Sequence, residues 1–130
     1  MLDVAQLPPA VDDLMHAQLA LAAYAEPWPG ALTLPNDATA AVIATVTHTA
    51  SIGEVTAPPG AGSIYLWDIL NSIDLLLYAG HLSSSDDDEV LAGANRIAVQ
   101  NDDGGWEVIG FAVAALIAPQ TYRLTRLLRG

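Results

Sequence analysis

The pattern of apolar and polar positions changes character near residue 30. From Ala31 onward, short runs rich in valine, isoleucine, leucine and threonine alternate with turn-forming residues about every ten positions, the pattern of an all-β domain. Ala-Leu-Thr-Leu at 31–34 precedes an Asn36-Asp37 turn and a longer run from Ala41 to Ile52. In that run Val42, Ala44, Val46, His48, Ala50 and Ile52 share one face, and Thr45, Thr47, Thr49 and Ser51 share the other. The alternation predicts a single half-buried strand with His48 pointing inward. Residues 64–67 and 72–79 predict two strands around a turn at Asp68 and Asn71, with Ile73, Leu75 and Leu77 facing one way. Residues 96–100 and 106–116 predict a hairpin across Asn101-Asp102-Asp103-Gly104-Gly105. Pro119-Gln120-Thr121 predicts another turn, and Tyr122 to Leu128 alternates into a last strand.

Before residue 30 the pattern supports two readings. Pro8-Pro9, then Asp12 and Asp13, then Leu14, Met15, Leu19 and Leu21 carry the start signals and spacing of a helix. Ala17 to Ala25 also alternates, so a strand competes over the same residues. Glu26-Pro27-Trp28-Pro29-Gly30 ends either element, because two prolines remove two backbone donors. Residues 57–63, Ala-Pro-Pro-Gly-Ala-Gly-Ser, predict a linker long enough to cross between two sheets. Ser83 to Glu89 predicts a helix start, with Ser85 as the cap, Asp88 three residues on and Gly93 near the stop. The sum is an all-β fold, a small barrel or sandwich of seven or eight short strands with one short helix near residues 85–93.

Composition narrows the function classes. The 130 residues suit one domain spanning 1–130, and at 52% apolar and 15% charged they hold ample core material. Fifteen acidic residues face four arginines and no lysine, for a formal net charge of -11. Such a chain repels a phosphate backbone and an anionic membrane surface, so no nucleic acid is expected as a direct partner. Without cysteine, disulfides, thiolate metal sites and cysteine nucleophiles are excluded. The longest apolar stretch, Phe111 to Pro119, is far short of the ~20 residues of a membrane-spanning helix. Met1 to Pro9 lacks the basic and apolar regions of a secretory signal.

Candidate chemistry is sparse. His16, His48 and His81 lie far apart, without the close pairing that zinc sites need, and an inward His48 reads as a hydrogen-bonded core residue. Asp86 to Glu89 offers carboxylates for calcium but lacks the glycine and spacing of a calcium loop, and helix capping explains the cluster. Asn101 to Gly105 is explained by its turn. Trp28, Trp67 and Trp106 could stack on a sugar, but beside turns they read as core plugs. Their even spacing of 39 residues is matched by nothing else, so no repeat is assigned. No residues are assigned to catalysis, to a cofactor or to a metal, and no enzyme activity is expected.

The order of signals carries a resemblance. Pro27-Trp-Pro-Gly30 comes first, then Ala50-Ser-Ile-Gly-Glu, then Trp67-Asp68 with Asn71 before an alternating strand. Glu89-Val-Leu-Ala-Gly-Ala-Asn95, Trp106-Glu-Val-Ile-Gly-Phe111 and Thr121-Tyr-Arg-Leu-Thr-Arg-Leu-Leu-Arg-Gly130 follow. Over residues 15–130 the chain resembles a β domain of the large tail-tip protein of phages and gene transfer agents, the baseplate hub or host-specificity component. The resemblance implies a strand at 16–25 and an excised piece of a longer polypeptide located in the tail of a virion or phage-like particle. It also implies partners in sibling domains, neighbouring tail subunits and a host receptor or glycan, with no catalytic residues to carry over. Two departures stand out: Ile69-Leu70 replaces the polar turn residues of relatives, and Asn71-Ser-Ile-Asp lacks their arginines. The other class the residues allow is a carbohydrate-binding β-sandwich, which needs at least two tryptophans exposed on one groove.

Overall fold

A computed structural model describes Leu2–Asp3 and residues 21–129. In chain order the elements are β1 (Leu2–Asp3), β2 (Leu32–Pro35), β3 (Val42–Val46), β4 (Ile52–Ala57), β5 (Trp67–Ala79), α1 (Asp87–Leu91), β6 (Arg96–Gln100), β7 (Trp106–Ala118) and β8 (Thr121–Arg129). Six strands close a barrel in the order β1-β4-β5-β8-β7-β6, while β2 and β3 form a separate two-stranded sheet. All the pairings among the described residues are antiparallel. The all-β expectation holds, and the choice between barrel and sandwich falls to the barrel.

Strand alternation places most of the core, with β8 the exception. Ile73 and Leu75 of β5, Ile97 of β6, Ile109 and Phe111 of β7, and Leu124 and Leu127 of β8 form one buried cluster. Each fully buried aliphatic side chain of this kind contributes about 1.5–3 kcal/mol from area removed from water. Turn chemistry sets the registers. Asn101 accepts the Gly105 amide on its side chain at 2.7 Å, and Gly104 sits at φ +83 to complete the β6–β7 hairpin. The Asn36 side chain likewise accepts the amides of Ala38 and Thr39, turning β2 into β3.

Several expectations are corrected. The run from Ala41 to Ile52 is two strands in two sheets, because β3 pairs β2 whereas β4 pairs β5. Between them the Ala50 amide donates to Ala23, outside either ladder, and His48 is exposed, with the Thr47 hydroxyl 3.1 Å from its Nδ1. The strand expected at 64–67 is irregular up to Leu66, with Tyr65 at φ +62, and 67–79 is one continuous strand. The 57–63 linker joins neighbouring strands of the same barrel instead of crossing between sheets. Of the 8–25 segment, residues 21–25 adopt neither helix nor strand, while 8–20 and His16 lie outside the described residues.

The helix cap is Asp86, one residue after the expected Ser85. The Asp86 carboxylate accepts the Glu89 amide, while the Ser85 amide donates to the Ala112 carbonyl at 2.9 Å and ties the preceding segment to β7. Gly93 at φ +106 closes the other end, with Ala94 donating to Glu89 and Gly93 to Val90 in a Schellman motif.

Two substitutions test this packing. Leu75→Ala, at a fully buried position, is expected to destabilise by about 2–5 kcal/mol in urea unfolding. Gly53→Ala is expected to be at least as severe, since the added methyl would overlap the Leu76 carbonyl of the paired strand.

Candidate functional site

The most unusual local structure is an insertion in the barrel wall. Trp67 and Asp68 pair with Leu128 and Leu127, and Ser72 pairs with Thr125, so β5 carries two residues more than β8 across this step. The excess is taken up by Ile69, Leu70 and Asn71 opposite Arg126, which adopts φ +57. Asp68 organises the insertion from inside. It is 5% exposed, and one carboxylate oxygen accepts the amides of Leu70 and Asn71 at 3.1 and 3.0 Å while the other accepts the Asn71 side-chain amide at 2.7 Å. The turn foreseen at Asp68 and Asn71 thus exists, but within a strand. It pushes Ile69 and Leu70 into solvent, and Leu70 reaches 92% exposure.

The linker after β4 lies against this insertion. The Asn71 side chain donates to the Ala61 carbonyl at 3.2 Å, and Gly62 lies so close to the Asp68 carboxylate that a methyl there would overlap it. Arg129 reaches the Gly60 carbonyl and forms a two-pronged pair with Glu107 at 2.7 and 2.9 Å. Cross-strand register puts Arg129 opposite Ile109 and Asp68 opposite Leu127, both core residues, so these charges line the inner face at one barrel end. Flanking this hydrogen-bonded base in the chain, Ile64, Tyr65, Leu66, Ile69 and Leu70 are all exposed, an apolar group in residues 64–70.

On the outer wall β8 is tied to the helix. Arg126 forms a two-pronged pair with Asp87 and places its guanidinium 5.2 Å from the Trp67 ring centroid. Val90 packs over Gly110, where a methyl would come within 3.0 Å of it. Between helix and wall runs an open groove lined by Tyr65, Leu91, Arg96, Val108, Gly110 and Leu128, among others.

A family model described as Rcc01698-like, C-terminal matches residues 50–130, well over half of the chain. The chain belongs to this family. The Rcc01698-like family is associated with gene transfer agents, which agrees with the coarser part of the expected resemblance. Its match begins at Ala50 and takes in β4 through β8, so it contains the insertion, the apolar group and the groove but not the β2–β3 sheet. No curated protein and no solved structure matches the chain.

Within this Rcc01698-like domain the residues weighed for chemistry stand apart. His48 and His81 are both exposed, on different segments. Asp86 and Asp87 are engaged in capping and in the Arg126 pair. Trp28 and Trp67 are half-buried, but Trp106, expected as a core plug, is 59% exposed because it falls on the outer face of β7. With one tryptophan exposed and the Trp67 ring faced by Arg126, the sugar-stacking arrangement is not assembled. No helix among the described residues is long and apolar enough to cross a membrane.

Three aspartates are held below the ordinary carboxylate range. The Asn71 side chain and the Asn71 and Leu70 amides do so for Asp68, Arg123 for Asp74, and Arg126 for Asp87. Values depressed in the folded state give stability that is complete above the unfolded aspartate value of about 3.9 and lost as pH falls through the lower folded values. The urea midpoint is therefore expected to hold from neutral pH to about 5 and to fall below about 4. Asp68→Asn, which cannot accept from the Asn71 side chain in the same way, lowers the midpoint at pH 7 and shallows that acid fall.

Proposed function

We propose that this domain is a structural, non-catalytic part of a tail in a gene-transfer-agent-like or phage-like particle, set in the baseplate hub. It works by packing against sibling domains and neighbouring subunits, and so contributes to tail-tip assembly, host attachment and DNA delivery. The observation that carries the reading is the exposed apolar group from Ile64 to Leu70 flanking its hydrogen-bonded base, within a domain of the Rcc01698-like family. A monomer gains nothing from raising Leu70 to 92% exposure, whereas a subunit contact removes that surface from water. The surrounding negative charge favours protein contacts over DNA contacts.

The double substitution Ile69→Asp and Leu70→Asp tests this reading in the native particle-producing strain. Both side chains are exposed, so folding is expected to be unaffected within about 0.5 kcal/mol per site. Incorporation of the protein into particles, read by quantitative blotting of purified particles, is expected to fall at least about tenfold, the effect of losing about 1.4 kcal/mol of contact. Parental incorporation and parental gene delivery by a stably folded double variant would overturn it.

A further inference from the structure

We propose that the groove between α1 and the outer wall of β6–β8 binds an extended protein segment carrying an aspartate or glutamate between apolar residues, with Arg96 as the anchor for the carboxylate. The proposal stands on the groove itself and is independent of the particle role.

Arg96 is set apart from the other arginines. Arg123, Arg126 and Arg129 each make a two-pronged pair, with Asp74, Asp87 and Glu107. The Arg96 side chain makes no hydrogen bond or ion pair among the described residues, in a chain where fifteen acidic residues compete for four cations. Its guanidinium nevertheless has a place. It lies against Gly93, where a side chain would overlap it and where φ +106 already demands glycine. A cation resting on a backbone surface is partly positioned before any ligand arrives, which lowers the ordering cost of binding.

The walls define the rest of the ligand. Arg96 and Arg129 are the charged lining residues, and since Arg129 is already paired with Glu107, Arg96 supplies the unpaired positive charge of the groove. Its apolar rim is open: Tyr65 is 77% exposed and Leu91 61%, with Val108 beside them. A guanidinium flanked by uncovered apolar side chains matches a carboxylate flanked by apolar side chains, and the planar fork of arginine pairs two-pronged with that group. A nucleic acid would present many phosphates to a chain carrying eleven excess negative charges, which disfavours that ligand.

The probes are two capped tripeptides, acetyl-Leu-Asp-Leu-amide and acetyl-Leu-Asn-Leu-amide, titrated into the full chain by proton–nitrogen NMR. The aspartate peptide is expected to shift the amides of Leu91, Arg96 and Val108 and the Arg96 side-chain Nε–H, and to bind about tenfold more tightly than its asparagine isostere. Arg96→Gln is expected to abolish that preference, and Leu91→Ala to weaken both peptides alike, with the spectra confirming that each variant is folded. Equal binding of the two peptides, a preference that survives Arg96→Gln, shifts that map to another surface, or no shifts at millimolar peptide would each overturn the proposal. Inorganic phosphate competing as well as the aspartate peptide would also overturn it, by reducing the site to a simple anion contact.

Discussion

The structure turns on how β8 is held between the two longest strands. Leu124 and Leu127 are both completely buried although they lie three residues apart, and in a regular strand such residues face opposite sides. The positive φ at Arg126 resets the alternation, and β5 answers with its two extra residues opposite. Without that paired irregularity, β8 could put either Leu124 or Leu127 into the core but not both. The same step bends the wall, which a small closed barrel needs, and throws Arg126 outward to Asp87 and Trp67. Helix placement, the Asp68 turn and the exposed Ile69-Leu70 pair all descend from it.

Polar chemistry in this domain serves shape. Asp68 is a buried carboxylate, yet its acceptors are filled by two backbone amides and one side-chain amide, the arrangement that makes burial of a charge tolerable. Asp74–Arg123 joins partners directly across β5 and β8, and Asp87–Arg126 pins the short helix to the wall. Exposed pairs of this sort are worth little singly, so their value is in register and orientation more than in stability. The chain has placed nearly all its cations where they fix geometry, which is why an arginine without such a task stands out.

Much of the fold was legible in the residues because local chemistry dictated it. Asn101 to Gly105 fixed a hairpin, Pro119 to Thr121 fixed another, and Ile73, Leu75 and Leu77 announced a core face that the barrel uses. What could not be read was non-local. The even alternation from Ala41 to Ile52 hides a change of partner, since nothing in the side-chain pattern tells β3 that it pairs β2 while β4 joins the barrel. Tyr122 to Leu128 likewise looks like one uniform strand, and its switch of facing appears only when β5 and β7 are laid beside it. The surface features depended on a departure noticed in the residues, Ile69-Leu70 in place of polar turn residues, whose meaning needed the strand insertion to become visible. The isolation of Arg96 could have been found from no motif, because it is defined by partners that other arginines have.

Barrel closure has a consequence for the order of events in folding. From β4 to β8 most neighbours are joined by hairpins or short connections, and these pairs can form early from nearby residues. The last seam is different, since Leu2 meets Ala98 across 96 positions of chain and, among the described residues, is joined to β4 by a single pair, Leu2 with Ile52. Loop-closure entropy makes such a contact late. The barrel is thus a curled five-stranded sheet that becomes a cylinder by a latch, and slow amide exchange should spread outward from β8 and fade toward the two edges that the latch joins.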